Sequence, residues 1–240
     1  GAILSWDLRA APSTRGQTQL PGWHSFWGFA DGGKSLVTTD PEGRLVRWTG
    51  RLFENSELLM TVDLAAPRGS GRRGGAVAKD CPLVAIVGGN ERRQVQIWDL
   101  EKRALAGEIK LGGLVREVVG FPDRGAKVLI GTPGDLQERD VKSGMKTRSW
   151  RARQPVPQRG GYAITPDGTQ VLMLGDTQAA HGVFSLVDVG RGQQRDFPMP
   201  PGLRVGSAGL SFDGLLLAMA DNIGKADVWE TASFHRIATV

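Results

Sequence analysis

The sequence predicts an all-β chain folded as a β-propeller of four-stranded antiparallel blades, on two periodic markers and a composition rich in turn formers. The first marker is a strand ending that recurs six times: Ile3-Leu4-Ser5-Trp6-Asp7-Leu8, Leu45-Val46-Arg47-Trp48-Thr49-Gly50, Val95-Gln96-Ile97-Trp98-Asp99-Leu100, Leu136-Gln137-Glu138-Arg139-Asp140-Val141, Phe184-Ser185-Leu186-Val187-Asp188-Val189 and Ala226-Asp227-Val228-Trp229-Glu230-Thr231. The fourth residues of these segments stand 42, 50, 41, 48 and 42 apart. A period of this length, marked by a strand that ends in Trp-Asp, belongs to a propeller blade. The second marker is an Asp in a tight turn, at Asp31, Asp80, Asp123, Asp167 and Asp213, in steps of 49, 43, 44 and 46. Each falls between two short apolar runs, where Asp and Gly tolerate the backbone angles a hairpin needs. With 34 Gly and 13 Pro in 240 residues, and no sustained apolar period of 3.6, helix is expected to be nearly absent.

Taken in order, the elements form an incomplete blade and then complete ones. The chain opens on a third strand, Ile3 to Leu8, continues into an outer strand, and completes five full units before ending on an outer strand, Phe234 to Val240. In the third full unit, Arg116 to Phe121 reads as the innermost strand and Lys127 to Gly131 as the second. Leu136 to Val141 is the third, and Met145 to Arg151 the outer one. Second strands such as Leu83-Val84-Ala85-Ile86-Val87 and Val171-Leu172-Met173-Leu174 are the most apolar, as strands sandwiched between neighbouring blades must be. Outer strands such as Lys146-Thr147-Arg148-Ser149-Trp150-Arg151 are polar, as strands at the wet periphery can be. The expected architecture is one domain over 1–240, five full blades plus a half blade, N-terminally incomplete. An open ring leaves strand edges and apolar blade faces unpaired. The expectation is therefore a part of a six- or seven-bladed ring, or a first blade completed by another chain.

These markers give the chain a resemblance to the WD-repeat family of β-propellers. The residues that carry it are Trp6-Asp7, Trp98-Asp99, the Trp48 and Trp229 strands, and the Pro166-Asp167-Gly168 turn. The chain departs from the family in lacking a Gly-His pair before the innermost strands; Gly22-Trp23-His24 comes nearest, with one residue intervening. The His-Ser-Asp-Trp hydrogen-bond network with which that family often stiffens a blade is not expected here, so the repeats are degenerate. The resemblance implies a rigid interaction platform with specificity in variable loops. In bacteria such repeats often follow an effector domain, so the expected partner is a protein or an upstream domain of the same polypeptide.

Residue patterns give little support for catalysis or for a cofactor. His24, His181 and His235 are not at metal-ligand spacing, and no Gly-x-Ser-x-Gly elbow occurs. Cys81 is alone, which excludes an internal disulfide and a cysteine-based metal cluster. The run Arg68-Gly69-Ser70-Gly71-Arg72-Arg73-Gly74-Gly75 lacks the Gly-Lys-Ser/Thr ending of a P-loop and reads as a loop between blades. The recurring Asp residues keep the blade period, which makes them turn formers. The competing class, an enzyme with a site in the central channel, would need polar residues converging on several inner strands. Segments such as Tyr162-Ala163-Ile164 and Ser207-Ala208-Gly209-Leu210 supply mostly apolar and small ones. A structural subunit of a large assembly is the third alternative. The longest apolar runs, such as Leu215 to Ala220, are far shorter than the roughly 20 residues that span a bilayer. The opening Gly1-Ala2-Ile3-Leu4 shows neither a secretion-signal pattern nor an initiating Met, so no compartment is assigned from it.

Charge points to a partner class. Net charge is +5, and Arg outnumbers Lys. Loops joining one blade to the next share a rim with the loops before each third strand. That rim carries Arg44, Arg68, Arg72, Arg73, Arg92, Arg93, Arg116, Arg159, Arg204 and Lys225 against Asp40, Glu42, Glu91, Asp135, Asp176 and Asp221. Arg72, Arg73, Arg92 and Arg93 belong to one blade and are the candidate contact for an acidic ligand. Trp23, off the blade beat and on the same rim, is the candidate interface anchor. Nucleic acid ranks lower, because single-strand binding adds stacking aromatics to a basic groove and only Trp23 and Trp27 could serve.

Overall fold

The computed structural model describes residues 2–6, 14–19, 25–31, 34–40, 42–50, 53–62, 75–78, 81–88, 92–153, 161–165, 167–174, 182–198, 205, 207–211, 213–220 and 225–239. Side chains are described from residue 28 onward. Strands β1 (Ala2–Trp6) and β2 (Thr14–Gln19) pair as a two-stranded sheet. Twenty further strands form five four-stranded antiparallel sheets arranged as a β-propeller. The first blade is β3 (Ser25–Ala30), β4 (Ser35–Thr39), β5 (Arg44–Thr49) and β6 (Asn55–Thr61). The second is β7 (Gly75–Val77), β8 (Leu83–Gly88), β9 (Gln94–Asp99) and β10 (Ala104–Lys110). The third is β11 (Glu117–Gly120), β12 (Lys127–Gly131), β13 (Asp135–Asp140) and β14 (Lys146–Arg151). The fourth is β15 (Tyr162–Ile164), β16 (Gln170–Leu174), β17 (Val183–Asp188) and β18 (Gln193–Pro198). The fifth is β19 (Ser207–Leu210), β20 (Leu216–Ala220), β21 (Ala226–Glu230) and β22 (Arg236–Thr239). Each strand pairs with its sequence neighbour, and among the described residues helix is confined to short 3-10 turns such as Asp123–Gly125.

Burial follows strand position within the blade. The second strands β4, β8, β12 and β16 are buried along nearly their whole length. The third strand β9 alternates, with Val95, Ile97 and Asp99 inward. β20 departs from its counterparts: Leu217 and Met219 are buried, whereas Leu216 and Ala218 are exposed. One face of β20 packs on the fourth blade, and the other is open to solvent.

The core is not one ball but a series of layers, each lying between two blades. Val37 and Leu45 of the first blade meet Val84 and Ile86 of the second. Ile97 and Ile109 of the second meet Val128 and Ile130 of the third. Leu129 and Leu136 of the third meet Val171 and Val187 of the fourth, and Leu172 and Phe184 of the fourth meet Leu217 and Trp229 of the fifth. Blade therefore packs on blade through the faces of twisted sheets, and each layer holds only nearest neighbours together. Two inner positions are glycine because the next blade comes too close for a side chain. A Cβ at Gly120 would lie 2.6 Å from Ile164 Cδ1, and one at Gly131 would lie 2.6 Å from Tyr162 Cζ.

The turn between third and outer strands explains the Asp of the Trp-Asp marker. Asp99 Oδ1 accepts from the backbone N–H groups of Glu101 and Lys102 at 3.0 and 2.9 Å. Asp140 Oδ1 accepts from Ser143 N at 2.7 Å, and Asp188 Oδ1 from Arg191 N at 2.8 Å. In every blade the residue four positions on adopts positive φ: Phe53, Arg103, Gly144, Gly192 and Phe234. The carboxylate organises the turn and the left-handed residue closes it. The turns between first and second strands use two solutions. Asp31 and Asp123 themselves adopt positive φ, whereas Asp167 and Asp213 accept local hydrogen bonds ahead of Gly168 and Gly214 at φ 74° and 69°. Asp80 lies outside the described residues.

Outer strands are clasped from blade to blade at one recurring position, the third residue of the strand. Glu57 of β6 pairs with Arg103 in the turn of the second blade. Arg148 of β14 donates to Val189 O at 2.9 Å, and Arg195 of β18 donates to Thr231 O at 3.2 Å.

The turn carboxylates make stability depend on pH. Hydrogen bonds from Lys102, Ser143 and Ser211 respectively hold the carboxyls of Asp99, Asp140 and Asp213 below the usual carboxylate range. A carboxyl depressed in the folded state contributes stability above its unfolded pKa of about 3.9, and that stability is lost as pH falls through the folded value. Urea midpoints are expected to hold near neutral pH and to drop between pH 5 and about pH 3. An unchanged midpoint at pH 3 would contradict the role given to these turns.

Candidate functional site

The antiparallel path places the links into β7, β11, β15 and β19 on the same rim as the loops before β5, β9, β13, β17 and β21. On this rim two arginines from different blades meet. Arg92, in the loop before β9, has φ 54°, a left-handed conformation uncommon for a residue with a side chain. Its backbone carbonyl accepts from Val115 N at 2.7 Å, and its Nη2 donates to Arg116 O at 2.6 Å. Arg116, in the link immediately before β11, donates its own backbone N–H to Gly131 O at 2.8 Å. The β8–β9 loop of the second blade thus holds the entry strand of the third, and the Arg92 guanidinium lies against the main chain of Arg116.

Both side chains are partly buried, and neither makes an ion pair among the described residues. Arg116 Nε is buried and has no hydrogen-bond partner among the described residues. Burial, and after it the like charge of Arg116, pushes Arg92 below the ordinary guanidinium value, against the opposing pull of Glu117. Other cations behave differently: Arg44, from the same charge count, has Nε 2.5 Å from Asp40 Oδ2, and Arg153 at the end of β14 has Nε 2.6 Å from Asp196 Oδ2. On the opposite rim Lys102 pairs with Asp99, Arg103 with Glu57 and Arg191 with Asp188.

A buried hydroxyl closes the inner side of the site. Tyr162 Oη donates toward the carbonyls of Thr132 and Asp135, at 3.0 and 3.2 Å. Burial, with the charges of Asp135 and Glu117 adding to it, pushes the Tyr162 hydroxyl up, so it stays protonated and works as a lock between the third and fourth blades. Glu117, Asp135 and Arg116 all lie within electrostatic reach of that hydroxyl.

Of the residues singled out from sequence, Arg92 and Arg93 lie in the β8–β9 loop, Arg92 partly buried and Arg93 exposed. Trp23, Arg72 and Arg73 lie outside the described residues, so the four-arginine patch is described only by half. Arg116 was counted on this rim but not grouped with Arg92. The signal was present, because the residue that opens an innermost strand sits beside the β8–β9 type of loop of the preceding blade. His235 is an exposed turn residue, and His24 and His181 lie outside the described residues. Among the described residues no group of three His, Cys, Asp or Glu side chains could hold a metal ion, and no helix is long and apolar enough to cross a membrane. Trp48 and Trp229 are buried, and Trp48 Nε1 donates to Thr38 Oγ1 at 2.7 Å, an indole-to-hydroxyl bond within the first blade. No protein-family model and no curated protein matches the chain.

Proposed function

We propose that this chain is a degenerate WD-repeat propeller that works as a non-catalytic interaction platform, presenting the rim of Arg92 and Arg116 to a protein partner or to an attached effector domain. The observation that carries the reading is the pair itself: Arg92 and Arg116 are held on this rim by main-chain bonds with no ion pair to a carboxylate among the described residues, unlike Arg44 on the same rim and Lys102, Arg103 and Arg191 opposite. A rigid scaffold that fixes unneutralised arginines at a loop-built rim is prepared to meet a charge from outside. Layered packing between blades keeps that rim stiff, which lowers the ordering cost of binding.

Photo-crosslinking in the source cells tests the reading. A benzophenone amino acid at Gly113 faces open space on this rim, and one at Lys142 reports the opposite rim. A discrete protein adduct from position 113 but not from position 142 is expected. Adducts only from position 142, or none from either, would contradict it.

A further inference from the structure

We infer that the Arg92–Arg116 pair is a carboxylate-binding point at which an acidic peptide segment of the partner docks; this deepens the reading of the rim as the interaction face and rests on it. A guanidinium is an obligate donor with five N–H groups and no acceptor. Arg92 commits Nη2 to the carbonyl of Arg116, while Arg116 has a buried Nε–H with no acceptor among the described residues. Arg116 thus keeps its charge without a side-chain bond among the described residues, and the like charge of Arg92 acts against it; an anion bound from solvent beside the two relieves that repulsion.

The pair is also built rather than incidental. The main chain at Arg92 adopts φ 54° and is held there by the bond from Val115 N to its carbonyl, while Arg116 N is fixed on Gly131 O. Access is open: at Gly112 and Gly113, just before Arg116, a Cβ would meet nothing within 4 Å. An extended chain can pass over this stretch and place a side-chain carboxylate on the pair.

The neighbours select the kind of anion. Glu117 lies within electrostatic reach of Arg92, and Glu117 and Asp135 both act on Tyr162 beside Arg116. The negative charge of these acids near the pair disfavours a densely charged polyphosphate chain more than a single carboxylate. The described part of this rim offers no exposed aromatic side chain on which a base could stack, and Tyr162 is buried with its hydroxyl engaged. An acidic peptide is therefore the occupant that the chemistry favours over a nucleic acid strand.

Fluorescence anisotropy with a fluorescein-labelled hexaglutamate peptide, at low salt, tests the inference. The wild-type protein is expected to bind it, with affinity falling as salt rises. Arg116→Gln is expected to weaken binding by about tenfold, the scale of losing one charge-assisted hydrogen-bonded contact. Because the Arg116 guanidinium has no hydrogen-bond partner among the described residues, this variant should keep the wild-type melting temperature, so a loss of binding is not a loss of fold. Lys142→Gln, on the opposite rim, should bind as wild type does. No binding by the wild-type protein, an equal loss in Lys142→Gln, or tighter binding of a single-stranded oligothymidylate through Arg116 would each overturn the carboxylate assignment. A protein adduct at position 113 together with a hexaglutamate null would leave the platform reading standing and remove this inference alone.

Discussion

Phe184→Ala is expected to be the most damaging single truncation, lowering stability by about 3–5 kcal/mol, the usual cost of deleting a fully buried aromatic ring. Phe184 sits on β17 with no solvent exposure and belongs to the layer between the fourth and fifth blades. Its ring stacks on Phe234, with centroids 5.8 Å apart, and Phe234 in turn stacks on Phe197 at 3.9 Å. The deletion removes the ring that ties a third strand to the turn of the next blade. Chemical denaturation of wild type and variant gives the number directly. A loss below about 1 kcal/mol would mean that the layer is not packed to native density, contrary to the account of the core.

The second large effect comes from adding atoms instead of removing them. Gly131→Val places a Cβ where Tyr162 Cζ lies 2.6 Å and Cδ2 2.9 Å away, closer than side-chain carbons tolerate. The tyrosine ring must then shift, and its bonds to the carbonyls of Thr132 and Asp135 go with it. Overpacking costs about 1–3 kcal/mol and the orphaned hydroxyl a further 1–3. For a domain of this size each kcal/mol lowers the melting temperature by roughly 2–4 °C. Gly113→Val meets open space and serves as the control, with a melting temperature expected within about 1 °C of wild type. Equal effects at the two positions would show that the third and fourth blades do not approach as closely as described.

The parts of the fold visible in sequence were those that repeat. The strand ending keeps its register even where Trp is replaced by Arg139 or Val187, because the position is set by strand order and not by the indole. In the third full unit the expected strands and β11 to β14 agree to within one residue at nearly every boundary. What stayed hidden depends on contacts between blades or on backbone angles that residue type does not announce. Gly144 and Gly192 advertise their left-handed turns, but Phe53, Arg103 and Phe234 hold the same position without a sequence signal. Trp150 stands in an outer strand whose sequence reads as polar, yet it is buried at the interface of the third and fourth blades, where Nε1 donates to Gly192 O at 3.3 Å. The exposed face of β20 is another tertiary fact, since Leu215 to Ala220 reads as apolar as its counterparts.

The candidate site was legible as a rim but not as a pair of residues. Counting charges treats Arg44 and Arg116 alike, although Arg44 is locked on Asp40 and Arg116 is left without an acceptor. Which cations are neutralised depends on side-chain geometry, which residue type alone does not set.

Native-state hydrogen exchange, read peptide by peptide, tests the radial repeat most directly. Amides buried in the middle of each blade open only with large-scale unfolding, whereas peripheral strands fray. The account predicts protection maxima at β4, β8, β12 and β16, a lesser one at the half-exposed β20, and troughs at the outer strands between them. A single contiguous protected block, or protection that does not recur with the blade period, would contradict it.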